Sequence, residues 1–275
     1  MLRTRLWMGS VLVGLMVGVL VVDGWLAPWF PFLALVLLAA GLLGSWELIS
    51  LLGEPRPSPW VCLTGVFVLL AGNWLPHTLG GPPLTWLAGL LAGVFMVLFA
   101  LEGLRFRQPG SATPRLAATL LVVTYLGFLP SFLAQLRWRP DDGALALAAA
   151  IFITKACDIG AYFTGRALGR HPMAPVLSPK KTWEGAAGGL ALATIAGLAF
   201  LGWRYPWWGA ALLGLALGVA GMVGDLMESL LKRDSGQKDA SQLVPGFGGV
   251  LDVVDALLFA GPVAYFGFMG LDALL

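Results

Sequence analysis

Apolar residues run along the chain in nine long blocks, at about 6–22, 29–52, 60–79, 84–101, 116–136, 144–164, 186–203, 207–230 and 251–271. Most of the charge lies in the short segments between them. A bilayer core needs about 20 apolar residues per helix, so each block is about the length needed to cross one. The apolar/polar alternation of a lipid-facing β-barrel strand is absent. The pattern predicts an all-α, polytopic transmembrane helical bundle of about nine spans. Composition agrees: 58% of residues are hydrophobic and 12% charged, against about half and a quarter in soluble domains, and the mean hydropathy is +0.83. Arg3 and Arg5 ahead of the first block resemble a secretory signal, but DGWLAPWF follows without a small-x-small cleavage site, so the block is expected to be a retained helix.

Charge sets the expected orientation. With the N-terminus cytoplasmic, 13 of the 17 Lys and Arg residues fall on the inner side: Arg3, Arg5, Arg56, Arg105, Arg107, Arg115, Arg166, Arg170, Lys180, Lys181, Lys232, Arg233 and Lys238. Only Arg137, Arg139 and Arg204 fall outside, and Lys155 lies within a span. That bias is the positive-inside signature of an integral protein of the inner (cytoplasmic) membrane. A net charge of +2 gives no argument for nucleic acid, whereas inner-face cations suit anionic lipid headgroups. Cys62 and Cys157 both lie in or beside apolar blocks and read as small buried hydrophobes.

The polar residues divide the chain in two. Residues 1–140 form five spans nearly free of internal charge, with Glu47 and Glu102 near their cytoplasmic ends, and read as a scaffold. Residues 141–275 form four spans with charge concentrated at their inner ends and read as a catalytic region; eight of the 15 acidic residues lie between Asp158 and Asp255. Glycines at small-xxx-small spacing (Gly14/Gly18, Gly185/Gly189, Gly214/Gly218) predict close helix packing or a homodimer contact. No internal repeat of the kind found in many transporters is evident.

Three clusters offer chemistry. In GMVGDLMESLLKRD, Asp225, Ser229 and Lys232 are spaced i, i+4, i+7 and share a helical face, with Glu228 beside them. An ionisable group in a span usually faces the bundle interior or a water-filled cavity. In VPGFGGVLDVVD, a glycine-rich turn precedes Asp252 and Asp255, which point one way from the first turns of the last span. Stabilisation by the helix dipole would explain these carboxylates. So would a hard-cation site with Asp225, because Mg²⁺ is typically held by one or two carboxylates plus substrate phosphates. The third cluster, Thr154 to Gly189, pairs Lys155 with Asp158 and then supplies Arg166, Arg170, Lys180 and Lys181 among glycines, a set suited to phosphate. His171 has no partner at metal-ligand spacing. No GxxxxGK[ST], GxGxxG, HExxH or paired CxxC occurs.

Ser229-Leu-Leu-Lys232-Arg233 through Lys238-Asp239, followed by P-G-x-G-G-x-L-D-x-x-D from Pro245 to Asp255, resembles the signature of the phosphatidate cytidylyltransferase (CDP-diacylglycerol synthase) family. DIGAYFTGRALGR and LSPKKTWEG resemble another of its segments. The likeness is close over about 154–255; before residue 140 it lies only in the hydrophobic spans. It implies a nucleotidyltransferase of phospholipid biosynthesis that makes CDP-diacylglycerol and pyrophosphate from CTP and phosphatidate at the cytoplasmic membrane face. It also implies Mg²⁺, a second, monovalent cation such as K⁺, and a homodimer. By position, Asp225, Asp252 and Asp255 are the expected metal carboxylates. Ser229, Lys232 and Arg233 are expected to contact substrate or metal, and Lys238 and Asp239 complete the signature. Lys155, Asp158, Arg166, Lys180 and Lys181 are expected near the substrate phosphates. Phe247 and Val253 stand where many members have His and Arg, so no role passes to them and both are expected to be non-essential. A transporter would need mid-membrane carboxylates and paired halves, which the sequence lacks. An enzyme joining CTP to another lipid phosphate would carry the same site chemistry.

Overall fold

The computed structural model describes residues 2–107, 109–246 and 248–274, with the side chains of residues 2–6 also outside the description. Phe247 and the side chains of Arg3 and Arg5 therefore lie outside the described residues. The helices are α1 (Leu2–Trp25), α2 (Pro31–Leu51), α3 (Pro59–Ala71), α4 (Leu75–Leu79), α5 (Pro83–Arg105), α6 (Ala112–Val123), α7 (Leu129–Leu136), α8 (Gly143–Leu168), α9 (Trp183–Leu201), α10 (Trp207–Asp234) and α11 (Leu251–Asp272). A 3₁₀ turn joins α3 to α4 and a π turn, Thr124–Phe128, joins α6 to α7. A two-stranded hairpin, β1 (Pro172–Ala174) and β2 (Ser178–Thr182), separates α8 from α9. Nine helical segments among the described residues are long and apolar enough to cross a membrane, one for each predicted block. The chain is an integral membrane protein. Proline in the first turn opens α2, α3 and α5, where its missing N–H costs nothing. Exposed tryptophans stand at or just beyond helix ends (Trp25, Trp60, Trp183, Trp203, Trp207), as in interfacial aromatic belts.

The chain packs as two compact units. The first comprises Met1–Gln135 with Asp239–Val253. Its core is Leu48, Val66, Leu69, Leu70, Val122, Val123 and Leu126, closed where Gly127 backs onto Val66: a Cβ at Gly127 would stand 3.2 Å from the Val66 Cα. A buried polar network is satisfied largely within the unit, as lipid favours. Asn73 Nδ2 donates to Ser131 Oγ at 2.8 Å, and Gln135 Nε2 donates to Asn73 Oδ1 at 2.9 Å.

The second unit comprises Leu136–Lys238 with Val254–Leu275. Its helices meet through glycine. A Cβ at Gly185 would lie 2.9 Å from the Ala161 carbonyl oxygen and 3.1 Å from the Gly165 Cα of α8, and one at Gly214 would lie 3.0 Å from the Gly197 Cα of α9. The small-residue pairs at 185/189 and 214/218 thus serve packing within the chain. Gly14 and Gly18 have no described atom within 4 Å of a Cβ. Cys62 and Cys157 are free and buried.

At the end of the second unit where α8 begins and α11 finishes, Arg139 donates to Asp142 (2.7 Å), to both Asp272 oxygens (2.8 Å) and to Tyr205 (3.1 Å). Tyr205 in turn donates to Asp142 at 2.6 Å. Burial works against the Asp142 charge, but the hydrogen bonds from Arg139 and Tyr205 outweigh it and hold this carboxyl below its ordinary value. Burial and the bond to Asp142 push the Tyr205 phenol up to about 12. A carboxyl depressed by folding adds stability that is fully present above its unfolded value, about 3.9, and lost as pH falls through the folded value. Asp142→Asn is therefore expected to lower the melting temperature at pH 7, with variant and wild type converging below about pH 4. Thermal unfolding in detergent across that range checks this; parallel curves would exclude it.

Candidate active site

The site lies at the opposite helix ends of the second unit, where α8 finishes, α9 begins and α10 finishes. The hairpin there is antiparallel, with Pro172 opposite Thr182 and Ala174 opposite Ser178, and is tied to the start of α9. Thr182 caps that helix, its hydroxyl accepting from Gly185 N at 3.1 Å. Glu184 accepts from the backbone N–H groups of Arg170 (3.1 Å) and His171 (3.2 Å), and its other oxygen lies 2.5 Å from His171 Nδ1. His171 thus holds the loop. Arg233 at the end of α10 donates to the carbonyls of Leu177 (3.2 Å) and Gln237 (3.1 Å), fastening the hairpin tip from the other side.

So braced, β2 directs Lys181 inward, with its ammonium 2.6 Å from Asp225. Lys180 and Lys181 line a cavity of about 620 Å³ together with Asp158, Tyr162, Arg166 and Asp225. Arg166 donates to the Tyr162 hydroxyl at 3.0 Å. Lys155 pairs with Asp158 at 3.2 Å, as the i, i+3 spacing predicts.

On α10, the turn after Asp225 carries Glu228, which is 1% exposed and ion-paired with Lys232. Ser229 and Lys232 are also buried. Asp255 of α11 comes in close because Gly224 leaves room: a Cβ there would stand 2.6 Å from the Asp255 carbonyl. Carboxylate oxygens of Asp225, Glu228 and Asp255 consequently lie within 4.8 Å of one another. Oxygens on opposite sides of an octahedral Mg²⁺ are about 4.2 Å apart. The donor set is all carboxylate oxygen, and shifts of a few tenths of an ångström would fit it to a small hard cation. Sequence reasoning placed Glu228 beside Asp225 without assigning it to the cation; its spacing of i+3 was the available signal.

Asp252 and Asp239 belong to the first unit. Asp252 Oδ2 accepts from the backbone N–H of Gly249 (2.7 Å) and of Ala240 (3.1 Å), so this carboxylate, expected at the metal, holds the glycine-rich turn. The turn demands glycine at Gly246 (φ 86°) and Gly248 (φ 114°), both left-handed. Asp239 and Lys238 are exposed. Val253 lies in the first turn of α11.

Nine apolar spans among the described residues, with a partly buried carboxylate cluster flanked by lysines beside an open cavity, define a polytopic membrane protein equipped to handle a polyanion with a divalent cation. The sequence matches the cytidylyltransferase family over residues 3–269, and the chain belongs to that family. It is 31% identical to a phosphatidate cytidylyltransferase of Synechocystis over 284 residues, covering 92% of each chain. It is 33% identical to one of Mycobacterium tuberculosis over 246 residues, 76% of this chain and 74% of that one. A Brucella suis protein of the same name is 43% identical over 143 residues, about half of each chain.

Proposed function

We propose that the protein is a phosphatidate cytidylyltransferase: CTP + phosphatidate → CDP-diacylglycerol + pyrophosphate. The cluster of Asp225, Glu228 and Asp255, faced by Lys181 and Lys232, carries the reading. Names of relatives matched along most of their length support it. A phosphatidate phosphate oxygen attacks the α-phosphorus of CTP, the bond to the β-phosphate oxygen breaks, and pyrophosphate leaves with the electron pair. A phosphomonoester has its second pKa at about 6, so the nucleophile is ionised near neutral pH and no enzyme base is required. The chain's task is to hold two anions in line. Arg166, Lys180 and Lys181 on the cavity wall offset the phosphate charge, and Lys155 and Lys232 neutralise the carboxylates beside it. Asp225, Glu228 and Asp255 would hold Mg²⁺, which when bound polarises phosphate oxygens and offsets charge on the leaving group.

Asp252 organises the turn before α11, and Ser229 lines the buried face of α10. Arg233 braces the hairpin, while Lys238 and Asp239 stay open to solvent at the loop. In this reading residues 1–140 are scaffold and 141–275 catalytic. The basic residues at these helix ends support a site on the cytoplasmic side of the inner membrane, reached by CTP from water and by phosphatidate from lipid. The resemblance supports a homodimer and a K⁺ ion beside the Mg²⁺.

The test incubates detergent-purified protein with labelled CTP, phosphatidate and Mg²⁺, beside Asp225→Asn. Lipid-soluble cytidine label is expected only with phosphatidate, and is expected to fall about 100-fold or more in the variant. No label where the Synechocystis relative is active would sink the reading. Label formed only with a polyprenyl phosphate would reassign the lipid.

A further inference from the structure

Glu47 lies near the end of α2 and is 2% exposed, and no step of the reaction above uses it. Its carboxylate accepts from three donors about 200 residues away. Ser241 Oγ (2.6 Å) and Val250 N (2.9 Å) donate to Oε1, and Leu251 N (2.8 Å) donates to Oε2. Val250 and Leu251 open α11 and have no side chain able to cap it. A helix start is ordinarily satisfied by a Ser, Thr, Asp or Asn at its own N-cap, and such a residue at 250 would suffice without burying a charge. Here the start of α11 depends instead on a second helix. Gly249 makes space for this: a Cβ there would stand 2.6–2.8 Å from the carboxylate atoms of Glu47. Asp252 grips the same turn from within. Two carboxylates, the buried Glu47 and the half-buried Asp252, therefore fix the register from which α11 sets out, and Asp255 follows Leu251 by one helical turn.

We infer that Glu47 is a positioning residue, which fixes the start of α11 and thereby Asp255, the carboxylate that helix carries for the divalent cation. The inference deepens the proposed function and rests on it. Polar groups that orient metal ligands typically change metal affinity or activity 10–100-fold when removed. The test uses Glu47→Gln and Gly249→Ala. The first turns one acceptor oxygen into an NH₂ donor facing Val250 or Leu251; the second keeps Glu47 and crowds its carboxylate.

Three quantities are read on the full-length protein in detergent: binding of Mn²⁺ alone by electron paramagnetic resonance, the Mg²⁺ midpoint of cytidylyl transfer, and KM for phosphatidate. Both variants are expected to bind Mn²⁺ and to respond to Mg²⁺ about 10-fold or more weakly, with KM for the lipid within twofold of wild type. A group that merely stabilises the fold would lower the unfolding temperature and leave metal binding by the folded protein unchanged; that result overturns the inference. Failure of both variants to fold assigns Glu47 to stability and overturns it equally; if one folds, it decides. Active wild-type protein without Mn²⁺ binding also overturns it. Wild-type protein that binds Mn²⁺ in a Glu47-dependent way, yet makes no cytidine lipid, would sink the proposed function and leave the inference standing.

Discussion

Asp255→Asn is expected to reduce CDP-diacylglycerol formation about 10³-fold while leaving the melting temperature unchanged or raising it. Three carboxylates with oxygens within 4.8 Å of one another repel strongly in a partly buried site. Lys181 offsets Asp225 and Lys232 offsets Glu228, whereas Lys155 offsets the Asp255 charge only in part against the cost of burying it. Asparagine has the same shape and keeps an oxygen to accept from Ala256 N, which Asp255 Oδ1 does at 2.6 Å. The folded protein thus sheds the cost of a buried charge and loses no packing. The reaction loses a hard anionic ligand where charge must be offset, and removal of a single preorganised electrostatic group typically costs 10²–10³ in rate. A site built for function at the expense of stability behaves this way. Thermal unfolding and labelled-product assays on one preparation check both halves. Retained activity, or a melting temperature several degrees lower, would remove Asp255 from the cation site.

Much of the fold was legible because lipid imposes a simple rule. Every span needs a long apolar run, and the nine blocks match the nine spanning segments among the described residues to within a few residues at most ends. The spacing of Asp225, Ser229 and Lys232 on α10 and of Lys155 and Asp158 on α8 was legible too, since neighbours on a helix follow from its period. What escaped depends on contacts that period cannot report. Asp252 and Asp255 look equivalent at i, i+3, yet Asp252 turns to the Gly249 and Ala240 amides. Glu47 reads as an isolated acid in an apolar helix, and its donors lie 194 to 204 residues on. Arg139, Asp142, Tyr205 and Asp272 gather only when α8, the loop before α10 and the end of α11 come together. Arg233, one of the signature's cations, braces the hairpin through carbonyls that no spacing rule singles out.

Lys232→Met should be the most damaging single change for stability near the site. Glu228 is 1% exposed and its charge is matched by the Lys232 ammonium one turn later. Removing one partner of a buried pair leaves the other charge uncompensated, at a cost of about 3–5 kcal/mol. For a chain of this size that corresponds to a fall of roughly 10 °C or more in melting temperature. Adding Glu228→Gln removes the stranded charge, so the double variant should recover most of the loss, since a buried pair replaced as a whole is close to neutral. A divalent cation offers a second route. If Glu228 belongs to the cation site, Mg²⁺ supplies the positive charge that methionine lacks, and it should raise the melting temperature of Lys232→Met more than that of wild type. The double variant should lose that extra response along with its activity, because it lacks the carboxylate. A single variant as stable as wild type would show that Glu228 is neutral in the folded protein. Equal Mg²⁺ stabilisation of wild type and Lys232→Met would leave Asp225 and Asp255 as the cation's carboxylates and restrict Glu228 to the ion pair.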